Sequence, residues 1–155
     1  MKIGLALAGD ALKRMEKAAR IAQQRIDKAV RKAANRVLRQ AKANVRQVLN
    51  TTGKSTGRLS GSITTADVPG ELLSRAIGTD VIYARIHEYG GVITPVNAQK
   101  LVFPGKDGGL VFADSVTIPA RPYLRPALDA VAPQIAQDFE AEIDYIFGAA
   151  GGGGA

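Results

Sequence analysis

Few residues in this chain of 155 could carry chemistry, because it holds one histidine and no cysteine. His87 is followed by Glu88, a pairing that can bind a metal. A zinc-binding helix, however, sets its second histidine four positions from the first, and here there is none. No nucleophile stands with a base and an orienting acid. Gly53-Lys54-Ser55 has the look of the end of a phosphate-binding loop, but Val48 occupies the required first glycine position and a helical pattern precedes it where a strand belongs. The residues therefore point to no catalytic, cofactor or metal site and to a protein that is not an enzyme. His87 is expected to be structural, hydrogen-bonded at a sheet edge.

The more telling chemistry is charge. Residues 1–50 carry 13 Lys and Arg against 3 Asp and Glu, a net +10. Residues 51–120 balance at 6 against 6, and residues 121–155 carry 2 against 5, a net −3. One end of the molecule should seek anions and the other avoid them, which concerns partners and encounter rather than fold. Within the basic segment Lys13, Lys17, Arg20, Lys28, Arg31, Arg39, Lys42 and Arg46 recur at helical spacing. Such a stripe is either a solvated face or a contact for an acidic protein surface or DNA. The segment has no aromatic side chain on which bases could stack, so a nucleic acid would be held there by its phosphates without sequence being read.

The element that must carry this stripe is a helix over residues 10–50. Leu12, Met15, Ala19, Ala22, Ile26, Ala29 and Ala33, continued by Val37, Ala41, Val45 and Val48, alternate steps of three and four. The apolar seam is narrow and alanine-rich, so it buries little area. Asp10 is the expected N-cap and Gly53 the expected stop. At 1.5 Å per residue the rod would be about 60 Å long. That exceeds what a small core covers, so part of it should meet other subunits or solvent.

From residue 56 the period changes. Residues 56–65, 72–78, 101–103 and 110–118 read as strands, punctuated by Pro69-Gly70, Gly90-Gly91, Pro104-Gly105 and Gly108-Gly109. This predicts a small, mainly antiparallel sheet of about four strands over 56–118, with a hairpin tip at residues 106–109. Residues 81–89 fit a strand or a short helical turn. Leu124, Leu128, Val131, Ile135, Phe139, Ile143 and Ile146 then give a C-terminal helix over 122–147, expected to pack on the sheet. Pro126 suits its first turn, whereas Pro133 should kink it or mark a restart. Arg121 and Arg125 oppose the helix dipole and need compensation, for which Glu88, Asp114 or a neighbour's acid are candidates. The fold class is α+β, a single domain over 1–148 followed by a glycine-rich tail at 149–155 with no reason to fold alone. No secretion signal and no membrane span are read, since no apolar run approaches ~18 residues. Absence of cysteine suits a reducing cytoplasm.

Three segments recur together in a known order: Thr56-Gly57-Arg58-Leu59-Ser60-Gly61-Ser62-Ile63, then Ile86-His87-Glu88-Tyr89-Gly90, then Ile118-Pro119-Ala120-Arg121-Pro122-Tyr123-Leu124-Arg125-Pro126-Ala127-Leu128. With them the chain resembles the neck and tail-completion proteins of long-tailed bacteriophages. The residues carrying the likeness are Thr56, Gly57, Leu59, Ser62, His87, Glu88, Tyr89, Gly90, Pro119, Arg121, Pro122, Leu124, Arg125 and Pro126. The resemblance favours the helical turn for residues 83–88. It implies a structural virion protein, made in the host cytoplasm, that forms a ring joining the DNA-filled head to the tail. It further implies a six-fold ring, with a twelve-fold ring as the alternative. The implied partners are further copies of the chain, a head-side connector or stopper, a tail terminator or tail-tube protein, and DNA in the channel; no membrane is involved. The competing reading is a basic nucleic-acid-binding protein without sequence specificity, supported by the +10 segment but by no recognised binding motif.

Overall fold

The computed structural model describes residues 3–49 and 56–151. Helix α1 (Ile3–Leu49) leads into a single helical turn α2 (Arg58–Ser62), then β1 (Thr64–Asp67), β2 (Arg75–Gly78), α3 (Ala84–Tyr89), β3 (Gly91–Ile93), β4 (Leu101–Pro104), β5 (Leu110–Ala113), β6 (Val116–Ile118) and α4 (Leu124–Gly151). The α+β expectation of a long N-terminal helix, small antiparallel sheet structure, a short helical turn and a C-terminal helix holds.

Details differ. α1 begins at Ile3, so Asp10 lies inside the helix and does not cap it. The preceding Leu and Ala residues favour helix, and Gly4 and Gly9 each cost only about 1 kcal/mol relative to alanine. Gly53 lies outside the described residues. Residues 58–62 form helix where a strand was expected. Gly57, at φ 72, turns the chain; its carbonyl accepts from the Gly61 amide at 2.9 Å and from the Ser60 hydroxyl at 2.9 Å. Leu59 and Ile63, four apart, both enter the core, a spacing that suits either period.

Among the described residues the strands number six, in three antiparallel pairs: β1 with β2, β3 with β6, and β4 with β5. The apolar run 110–118 divides at Asp114-Ser115, which lets β6 return to β3 while β5 stays with β4. The expected tip is present, with the Gly105 amide donating to the Gly109 carbonyl at 2.7 Å and Gly108 at φ 83.

The core gathers Val37, Ala41 and Val45 of α1, Leu59 and Ile63 of the α2 turn, Val81 and Ala84 beside α3, and Tyr123, Ala127 and Val131 around the start of α4. α4 runs through Pro133 without a restart and extends its backbone to Gly151, into the segment expected to be an unstructured tail. Its principal partner is α1, against which it lies antiparallel, and not the sheet. The physical reason is size: no two-stranded pair is broad enough to cover a helix of 28 residues. The alanine seam of α1 lets the helices approach closely, and ion pairs line their flank. Arg25 meets Glu142 at 2.9 Å, and Asp138 receives Lys32 at 2.8 Å and Arg36 at 2.9 Å. The Arg25 guanidinium also lies 3.3 Å from the centre of the Tyr145 ring.

Candidate assembly interface

Two of the three sequence segments prove to be one physical joint. The helical turn α3 ends against the link between β6 and α4, where the His87 carbonyl accepts from the Arg121 amide at 2.7 Å. Glu88 is buried, and its carboxylate accepts from the backbone amides of Tyr123 at 2.8 Å, Leu124 at 3.0 Å and Arg125 at 3.1 Å. The next residue, Pro126, has no amide hydrogen to satisfy. The donors that a helix start leaves unpaired are thus accounted for, by a carboxylate from another element and by a proline. The negative charge of Glu88 also answers the helix dipole against which Arg121 and Arg125 stand. Arg125 pairs in addition with Asp129 at 3.2 Å.

Gly90 completes the joint. Its backbone lies at φ 70 and ψ −177, a region only glycine occupies readily. A Cβ there would sit 2.7 Å from the Ala120 nitrogen and 3.0 Å from the Ile118 oxygen. His87 is structural in a different sense from that expected. Its carbonyl makes the sheet-edge bond, while its ring stands edge-on to Tyr83 at 5.7 Å and its buried Nδ1 has no hydrogen-bond partner. Burial first, and then the nearby Arg121 charge, pushes its pKa below the ordinary imidazole value. Tyr89 and Pro122 face solvent, as does Pro119, and Leu124 is half-buried at the core margin.

The first segment works elsewhere, fastening the α2 turn to α1. Leu59 fills the core, and the Ser62 hydroxyl lies 2.6 Å from that of Thr79. Thr56 is exposed. These residues hold the frame together, while Glu88, Tyr89, Leu124 and Arg125 of the joint line an open cleft of about 370 Å3 with Val37, Arg75, Ile77 and Leu128.

The basic stripe is separate from all of this. Its eight cations fall within roughly 100° of the α1 circumference at 3.6 residues per turn. Seven are exposed and Lys42 is half-buried. Among the described residues only Arg31 has an ion-pair partner, Asp27 at 2.7 Å on the same helix, which holds its guanidinium pKa above the ordinary value. The cations that do bind α4 (Arg25, Lys32 and Arg36) are not members of the stripe. Every residue from Gly9 to Ile21 is exposed, including Leu12 and Met15 of the apolar seam.

A long helix that outruns its core and a solvent-facing row of cations suit a building block of a larger particle. Residues 9–90 match the family described as "Bacteriophage HK97-gp10, putative tail-component". The chain belongs to this family. No curated protein and no solved structure matches it. Membership makes the chain a structural component of the phage tail, a class that does not catalyse. The family match runs from Gly9, within α1, through α3 and stops at Gly90, so it includes the stripe, the α2 turn and Glu88, but neither α4 nor the strands β3 to β6. No described helix of this tail component is long and apolar enough to cross a membrane.

One exposed feature escapes the sequence reading. β4 and β5 bear apolar side chains on both faces, with Val102 opposite Phe112 and Phe103 opposite Val111, and the pair has no more than marginal contact with any other element. The signal was present in Leu101-Val102-Phe103 and Leu110-Val111-Phe112, which are continuous apolar runs where a half-buried strand would alternate.

Proposed function

We propose that this tail component is a ring-forming neck or tail-completion protein that joins the DNA-filled head to the tail. The observation that carries the reading is the row of cations on α1, seven of them without an ion-pair partner among the described residues, on a helix that outruns its own core. At 47 residues α1 spans about 70 Å. Like charges at helical spacing repel, and an acidic surface relieves that repulsion. In a neck that surface is the DNA in the channel or an adjoining ring. A six-fold ring is the expected form and a twelve-fold ring the alternative. The head-side connector or stopper and the tail terminator or tail tube are the partners on either side. The work is done by binding alone: repeated weak contacts around a ring act together, giving a persistent joint with no chemical step.

The test replaces Arg20, Lys28, Arg31 and Arg39 with glutamine, which nearly preserves helix propensity while removing four charges. In a phage lacking the gene, this variant is expected to fold normally and to yield tailless heads and free tails. Wild-type numbers of infectious particles would show that the stripe is only a solvated face. The same unpaired cations favour a second reading, binding of nucleic acid without sequence preference. If the purified protein binds DNA with an affinity that falls steeply with salt, about 0.9 in log–log slope per phosphate contacted, while the variant still builds intact particles, that second reading prevails.

A further inference from the structure

The arm β4–β5 is built for burial that its own chain does not give it. Val102, Leu110 and Phe112 point to one face and are more than half exposed, while Phe103 and Val111 on the other face are partly covered and remain 37% and 38% exposed. An isolated two-stranded hairpin is marginal in water, and one apolar on both faces gains nothing from remaining there. Its charged residues, Lys100, Lys106, Asp107 and Asp114, cancel, and Lys100 pairs with Asp114 at 3.1 Å. The arm therefore has no attraction for DNA. It springs from β3 and β6, beside the joint at the N-terminal end of α4.

The same chain carries a second uncovered apolar surface at the other end of α4. There Tyr145, Ile146 and Phe147 face Ala18, Ile21 and Ala22 of α1 across an open cleft of about 330 Å3. Phe147 is 71% exposed. The start of α4 and this cleft are about 33 Å apart at 1.5 Å per residue. Neither strand of the arm makes more than marginal contact with α1 or α4 of its own chain. A donor surface at one end and an acceptor at the other can be satisfied reciprocally in a two-fold pair or head to tail, and only the head-to-tail contact, which closes into a ring when the rotation allows, agrees with the ring reading above.

We infer that the β4–β5 arm of one copy seats in the α1–α4 cleft of the next copy, with Phe112 and Phe103 as its anchors. This rests on the ring reading above and specifies its subunit contact. A neutral arm can enter between the basic helix and the acidic C-terminal third without repulsion from either.

The absence of native cysteine makes a direct test simple. Full-length chains carrying Leu110→Cys and Gly148→Cys, which leave Phe112, Phe103 and Phe147 in place, are mixed, oxidised and run without reductant, with Leu110→Cys plus Ala130→Cys as the control pair. The expected result is an efficient cross-link for 110 with 148 and none for the control. The doubly substituted chain should give a ladder that ends at the ring number found by light scattering. A second variant, Val102→Ser with Phe112→Ser, should keep the urea midpoint of the wild type and lose at least tenfold in assembly. Rings that form without the 110–148 link, or with position 110 joined to its own counterpart or to a tail protein, overturn the arm contact and leave the ring reading standing. Protein that forms no ring, either purified or in particles, overturns both.

Discussion

Replacing Glu88 with alanine should be the most damaging single loss of a polar side chain in this molecule. The carboxylate is buried and holds three backbone amides, those of Tyr123, Leu124 and Arg125, at 2.8 to 3.1 Å. Loss of an ordinary N-cap costs about 0.5–2 kcal/mol. Here the Tyr123 amide is also left buried without an acceptor, adding about 1–3 kcal/mol, and the negative charge at the helix start is removed as well. These contributions overlap, so the working figure is about 3 kcal/mol. Against a total domain stability of about 5–15 kcal/mol, that is a large fraction.

With a urea dependence of about 2 kcal/mol per molar, the unfolding midpoint should fall by about 1.5 M. Glu88→Gln keeps one oxygen but turns an amide group toward a donor, and should lose about half as much. Glu140→Ala, an exposed acid on α4 with no ion pair among the described residues, is the control and should change the midpoint by less than about 0.25 M. Hydrogen exchange supplies a local readout: the amides of Tyr123, Leu124 and Arg125 should lose protection in the alanine variant before those in the middle of α4. If Glu88→Ala and Glu140→Ala unfold at the same midpoint, the carboxylate is not the cap and the reasoning about the joint fails.

Gly90→Ala should cost more than about 2 kcal/mol or prevent folding, since it combines a glycine-only backbone with a Cβ 2.7 Å from the Ala120 nitrogen; recovery of soluble protein with a wild-type melting curve would contradict this. Asp138 is held below the usual carboxylate range, first by the Lys32 hydrogen bond and then by Arg36. Its contribution is therefore complete above the unfolded value of about 3.9 and is lost as pH falls through the depressed folded value. Unfolding curves from pH 6 to pH 2 should show this loss in the wild type and a flatter acid limb in Asp138→Asn.

The parts of the fold legible in the sequence were those governed by period. The α1 and α4 stripes alternate threes and fours over several turns, so their existence followed from side-chain spacing alone. Elements fixed by tertiary contacts were not legible. Residues 58–62 chose helix because Gly57 could adopt φ 72 and present its carbonyl to Ser60 and Gly61, a local alternative that strand propensity does not register. The start of α1 was misplaced because a good capping residue at position 10 says nothing about whether the chain before it can already be helical. For the site, the cation stripe was readable because it shares the helical period. Glu88 was only one of several candidates to answer Arg121 and Arg125, because 33 residues separate it from Arg121 and nothing local ties them together.

What the structure adds is a separation of roles along one helix. The C-terminal half of α1 contributes Val37, Ala41 and Val45 to the core, while its N-terminal residues leave Leu12 and Met15, of the same apolar seam, in solvent. The pattern continues although the partner has ended. Burial of a few more alanines could not by itself favour prolonging a helix by many residues, since each ordered residue costs about 1–2 kcal/mol in backbone freedom. The overhang becomes intelligible if a surface outside the chain meets it, just as an arm apolar on both faces becomes intelligible if another subunit encloses it. Neither feature shares a residue with the Glu88 joint. Variants of the joint should therefore lower stability and assembly together, whereas variants of the arm or stripe should lower assembly alone.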